Sequence, residues 1–211
     1  AVLLTSALSV VTAAAPTSAV APALTELTTQ GPQVWTGDGV TCVIDMNSPY
    51  CAGKNNAGQL GDDTTTQREW LKSMWTPSSS DASYMNFVII FYADGGSSHF
   101  CFVTSSNAPD PGAVYCFGDN QYGQLGDGTN TLRSRPTKVA NNQASGFTNS
   151  DVQRVFAGYD TTCAVKSNGS IMKLYCWGRN DQGQVGDGTT IDKNVPTSVV
   201  GGGMDTDGVM T

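Results

Sequence analysis

The stretch Cys116-Phe-Gly118-Asp-Asn120-Gln-Tyr-Gly123-Gln124-Leu125-Gly126-Asp127 decides how this chain is read, because it occurs in three copies. The earlier copy runs Cys51-Ala-Gly53-Lys-Asn55-Asn-Ala-Gly58-Gln59-Leu60-Gly61-Asp62, and the later one Cys176-Trp-Gly178-Arg-Asn180-Asp-Gln-Gly183-Gln184-Val185-Gly186-Asp187. Self-similarity at a period of about 60 residues marks a repeat architecture, in which each unit buries its apolar surface against its neighbours. The likeness extends beyond the core stretch. Upstream, a glycine precedes a further cysteine each time: Gly37 before Cys42, Gly96 before Cys101, Gly158 before Cys163. Downstream, Pro136-Thr-Lys-Val139 matches Pro196-Thr-Ser-Val199, while Leu71-Lys-Ser-Met74 holds that place in the decayed first copy.

Composition agrees with short strands and many turns. The chain has 211 residues with 24 Gly, recurring Thr and Ser, and only 14% charged residues, which favours an all-β protein. A hydrophobic share of 39% suffices for a packed core. The net charge of −7 speaks against nucleic acid as a partner, since phosphate binding needs a positive field. Glycines at fixed offsets mark backbone that takes a positive φ or approaches another strand closely. Gly53, Gly58, Gly61 and their counterparts Gly118, Gly123, Gly126 and Gly178, Gly183, Gly186 are therefore structural, as are Gln59, Gln124 and Gln184. Asn55, Asn120 and Asn180 suit positions whose side chains bond a local turn backbone. The Asp127-Gly128-Thr129 and Asp187-Gly188-Thr189 turns lack the alternating oxygen ligands and terminal Glu of a calcium loop.

This constellation resembles the repeat of the regulator of chromosome condensation family, a β-propeller family whose repeats run Cys-Trp-Gly-x-Asn-x-x-Gly-Gln-Leu-Gly-Asp-Gly-Thr. The resemblance covers about residues 34–200 and implies a partial propeller of about three blades, since propellers usually close with about four to eight. Nuclear members of that family exchange nucleotide on a small GTPase, and nothing here matches a site for that. Each repeat holds one cysteine pair: Cys42 with Cys51, Cys101 with Cys116, Cys163 with Cys176. Repeat logic selects this pairing from the roughly fifteen that six cysteines allow. Asn168-Gly169 between the last pair is a two-residue hairpin signal that would set its cysteines across an antiparallel ladder. An even cysteine count suits an oxidising, extracellular address.

Chemistry is sparse. The sequence has no Gly-x-Ser-x-Gly elbow, no phosphate-cradling glycine loop and no Cys-x-x-Cys, and its one histidine, His99, reads as a core or hairpin residue. No enzyme, cofactor, metal or small-molecule substrate is expected.

Residues 1–33 form an apolar, almost uncharged arm in which Val2, Leu4, Leu8 and Val10 alternate as on a half-buried strand; a secretory leader is the competing reading. Thr5, Ser6, Ser9, Thr12 and Pro16 argue against a membrane span. The repeats follow over about 34–84, 85–150 and 151–204, and Val209 sits in what resembles the first strand of an incomplete fourth. An open stack of sheets leaves edges that recruit another chain. The leading expectation is a secreted structural subunit that adds strands head-to-tail into a homo-oligomeric filament or ring. The alternative is a protein-binding propeller module acting through its blade loops, with the insert from Trp70 to Tyr84 as the contact surface. Asn168-Gly169-Ser170 fits the N-glycosylation pattern, so glycans are possible partners of the hairpin tip. Intact mass under non-reducing conditions is expected to lie about 6 Da below the reduced mass, the loss of two hydrogens per disulfide; equal masses would remove the pairing.

Overall fold

The computed structural model describes residues 33–45, 48–74, 90–105, 108, 110–169 and 171–201. The proposed donor residues Val2, Leu4, Leu8, Val10 and Val209, and the insert beyond Met74, lie outside them. Twelve strands form three four-stranded antiparallel sheets, one per repeat, and no helix occurs among the described residues. The first sheet is β1 (Gln33–Thr36), β2 (Val40–Asp45), β3 (Ser48–Gly53) and β4 (Arg68–Ser73). The second is β5 (Ile90–Gly95), β6 (His99–Thr104), β7 (Val114–Gly118) and β8 (Arg133–Lys138). The third is β9 (Val152–Ala157), β10 (Thr161–Asn168), β11 (Ile171–Gly178) and β12 (Lys193–Ser198). In each, strands neighbour in chain order, so every sheet is a simple meander. Successive first strands touch, β1 with β5 and β5 with β9, as innermost strands of adjacent propeller blades do.

The core lies between the sheets. Strand side chains alternate between faces, and β6 is buried along its whole length because both of its faces are covered. Phe100 and Phe102, with Phe117 of β7, point back to pack with Ile44, Cys42–Cys51 and Leu60 of the first repeat. Cys101 and Val103, with Val114 and Cys116, point forward to pack with Val155, Ala164, Tyr175 and Trp177 of the third. The first two disulfides thus add to faces that meet the next repeat. Edge strand β4, with no such cover, carries Trp70 at 68% exposure.

The three disulfides join cysteines that stand opposite each other in the β2–β3, β6–β7 and β10–β11 ladders, with Cα atoms 4.1, 4.2 and 4.0 Å apart. One sequence expectation is corrected here. The β10–β11 ladder closes at Asn168 opposite Ile171, so the two residues between are Gly169 and Ser170 rather than Asn168 and Gly169. The physical reason is register: a turn at Asn168-Gly169 would set Ser167 opposite Ser170 and slide Cys163 two residues away from Cys176. The side chain of Asn168 and Ser170 are outside the described residues.

One glycine position shows why the repeat tolerates so little change. Gly53, Gly118 and Gly178 have φ of 109°, 107° and 102° and sit at the same bulge, where the third strand shifts register against the fourth. A Cβ on Gly118 would run into the carbonyl oxygen of Ser98, and one on Gly178 into that of Asp160. A side chain there meets both a forbidden backbone region and a wall.

His99 belongs to the junction between the second and third repeats. Its Nε2 lies 2.8 Å from Thr162 Oγ1, and that hydroxyl donates to Gln124 O at 2.8 Å, so Nε2 carries the proton. Trp177 Nε1 donates to the same carbonyl at 3.0 Å. Burial lowers the His99 pKa to about 4. Below the ordinary value of 6.5 the unfolded chain takes up a proton that the folded chain refuses until about pH 4. Stability is therefore full above pH 6.5 and falls as the pH drops towards 4, by roughly 3 kcal/mol. The denaturation midpoint is expected to fall across that interval in the parent and to lose this component in His99→Gln, whose amide can still reach Thr162; identical profiles would sink the assignment.

Candidate protein-interaction face

The β1–β2 turn and the long β3–β4 loop of each repeat leave the sheet at the same end, so three turns and three loops share one face. The turns are tied in a row by main-chain bonds. Asp38 N donates to Ser97 O at 2.8 Å, and Ser97 N donates to Tyr159 O at 3.0 Å. The side chain at this turn position differs in every repeat, and the last of them, Tyr159, is 74% exposed.

Each long loop folds around its asparagine. Asn120 Nδ2 reaches Thr129 O at 3.0 Å and Thr131 O at 3.1 Å, while Oδ1 accepts the Leu125 N–H at 2.9 Å. Asn55 and Asn180 make the same bonds, to Thr64, Thr66 and Leu60 and to Thr189, Ile191 and Val185. The conserved geometry arises because a buried backbone group without a partner is costly, and one amide satisfies both strands of the loop. Gln59, Gln124 and Gln184 close the first turn of each loop by accepting from the N–H two residues back. The aspartate that ends each motif is locked in place: Asp62 by Arg68, Asp127 by Arg133, Asp187 by Lys193. At Asp187 burial pushes the carboxyl up, but Lys193 and the Thr189 hydroxyl outweigh it and hold the pKa at about 2. With their oxygens already accepting from such donors, these aspartates are the anchors of turns. Among the described residues no cluster of His, Cys, Asp and Glu is placed to hold a metal.

The outward surface of the face has its own charges. Lys54 pairs with Asp38 at 2.8 Å. Arg179 binds Asp181 at 2.7 Å, approaches Asp160 at 3.7 Å, and lies over the Tyr122 ring at 5.0 Å. Burial raises the Asp160 carboxyl above its usual range against the Ser97 hydroxyl, and neighbouring Asp119 adds to the rise. Sequence reasoning did not single out Tyr122, Tyr159, Asp160 or Arg179. The available signal was the glycine ahead of each first cysteine, which marks the turns but not which of their residues point out. Of the insert expected to make contact, Trp70 and Leu71 are exposed on β4, away from this face, and residues from Trp75 on lie outside the described set.

Three stacked four-stranded meanders, each with an asparagine-centred loop and with buried junctions between consecutive ones, define a β-propeller repeat protein. The family described as regulator of chromosome condensation (RCC1) repeat matches residues 111–165 and 173–204, and a second RCC1 repeat description matches 94–124 and 152–184. The chain belongs to the RCC1 repeat family. It is 38% identical over 88 residues to the ultraviolet-B receptor UVR8 of Arabidopsis thaliana, covering 42% of this chain and 18% of that protein. It is 29% identical over 170 residues to the X-linked retinitis pigmentosa GTPase regulator of Canis lupus familiaris, covering 79% of this chain and 15% of that one. The crystal structure of human WBSCR16 superimposes with a TM-score of 0.61 at 24% identity, over 82% of this chain and 41% of that one. This chain therefore spans less than a fifth of those curated relatives. Asn120→Ala is expected to cost about 3 kcal/mol, because it strands the Leu125 N–H and two loop carbonyls at once; a urea midpoint within error of the parent would contradict the hub.

Proposed function

We propose that the chain is a protein-binding module whose partner docks on the turn end of the sheets. The row of main-chain-linked turns at Asp38, Ser97 and Tyr159 carries this reading. A backbone fixed before binding loses little entropy on association, and side chains at turn tips can vary without disturbing the strands beneath. Tyr159 and the Tyr122–Arg179 pair supply the aromatic and guanidinium groups that dominate protein interfaces. Asp38, Asp119 and Asp181 outnumber Lys54 and Arg179 on the outward surface of this face, which favours a basic segment on the partner. The disulfides suit an oxidising compartment, so we place the encounter outside the cytosol. Filament growth through the two termini is the less supported reading: its donor residues lie outside the described set, and no observation within it favours that polymer.

Peptides selected from a displayed library against the immobilised chain are expected to be rich in Lys and Arg and to weaken with added salt. A Tyr159→Ala/Arg179→Ala variant with unchanged melting temperature should bind them at least about tenfold more weakly. Selected peptides that bind the variant as tightly as the parent would move recognition off this face.

A further inference from the structure

Asp38, Asp94, Asp127, Asp187 and Asp207 each precede a glycine, and the first four of these pairs lie among the described residues. A glycine has no Cβ to shield its nitrogen. Its main-chain N can therefore close on Cγ of the preceding aspartate whenever that carboxyl is free to swing and the N–H is not held by an acceptor. What separates the four pairs is how each carboxyl and each amide is held.

At Asp127 both halves are fixed. The carboxylate, 3% exposed, accepts from Arg133 Nε at 2.7 Å, from the Thr129 hydroxyl at 2.7 Å and from Asn120 Nδ2 at 3.1 Å, and Gly128 N donates to Asn194 O of the third repeat at 2.9 Å. At Asp187 the carboxylate is 8% exposed and is bound by Lys193 at 2.9 Å, Thr189 Oγ1 at 2.8 Å and Asn180 Nδ2 at 3.2 Å. Asp94 ties one oxygen to Ala157 N at 3.0 Å, and its other oxygen accepts from Gly95 N at 2.9 Å. That bond turns the hydrogen of Gly95 N, and not its lone pair, towards the carboxyl.

Asp38 has none of these restraints. Its side chain is 68% exposed, and among the described residues its carboxylate meets one partner, Lys54 Nζ at 2.8 Å, which is open to water as well. An ion pair of that kind holds little. No main-chain carbonyl among the described residues accepts from Gly39 N, and a Cβ on Gly39 would touch only the stem of Lys54. Gly39, at φ 71°, stands at the tip of the β1–β2 turn.

We infer that, of the described Asp-Gly bonds, Asp38-Gly39 is the one at which the folded chain isomerises to an isoaspartyl linkage. Gly39 N gives its proton to water and attacks Asp38 Cγ, whose hydroxyl leaves as water, and a five-membered succinimide closes. Water then opens the ring at the original main-chain carbonyl of Asp38. The chain now runs through Cβ and Cγ, and the former main-chain carbonyl carbon becomes the free carboxylate. One water leaves and one enters, so mass and net charge are unchanged. The product carries an extra methylene in a turn whose present length fits two main-chain bonds, Gly37 N to Val40 O at 2.9 Å and Lys54 N to Gly39 O at 2.8 Å. The first turn of the row is thus the one that ages, and this holds whether or not a partner docks on that face.

The folded chain is incubated at neutral pH and 37 °C in parallel with the same chain unfolded in urea, and isoaspartate is read peptide by peptide through methyl transfer from an isoaspartyl carboxyl methyltransferase. In the folded chain Asp38 is expected to isomerise at least about tenfold faster than Asp94, Asp127 and Asp187, each of which must first lose a charged or main-chain hydrogen bond. In urea the four rates should draw together. Asp38→Glu, which would need a six-membered ring, should silence its peptide while leaving the melting temperature unchanged. The inference is overturned if Asp38 reacts no faster than the other three in the folded chain, if the ranking is the same in urea, or if the signal persists in Asp38→Glu.

Discussion

Close approach between consecutive sheets is the constraint from which the rest of the structure follows. A four-stranded meander with apolar side chains on both faces cannot stand in water alone, and here both faces of the second repeat are covered by its neighbours. The approach is permitted because glycine stands where the neighbour's ring arrives, at Gly61 under Phe117 and at Gly126 under Trp177. With the ring in place, Trp177 can share the Gln124 carbonyl with Thr162, and His99 is shut away from water. The same approach brings the turns together at the end of the stack, where their main-chain groups pair across repeats.

Much of this was legible in the repeat itself. The spacing of Gly, Asn, Gln and Cys gave the number of sheets and the cysteine pairs, because these residues serve local geometry that recurs whenever the motif does, while the four strands of each sheet came from the structure. Asn55, Asn120 and Asn180 were read as turn-bonding side chains, and each bonds its own loop. The hairpin after Cys163 was read one residue early, since Asn-Gly is a strong turn signal but the disulfide pair and the ladder fix the register.

The candidate site was far less legible. Tyr159, Tyr122 and Arg179 differ from the residues at equivalent places in the other repeats, so repetition, which made the fold readable, hides them. Whether a turn residue points to solvent or into a junction depends on how sheets stack, which no local pattern encodes. The difference between Gln124 and Gln184 is the clearest case: the same local hydrogen bond and opposite exposure, because among the described residues only Gln124 has another repeat packed in front of it.

Every disulfide closes within a single sheet, and none links one repeat to another. A gene rearrangement that duplicates or deletes a whole unit would therefore leave no orphan thiol to scramble during oxidative folding. Array length in such a lineage can drift without the folding machinery meeting a new pairing problem.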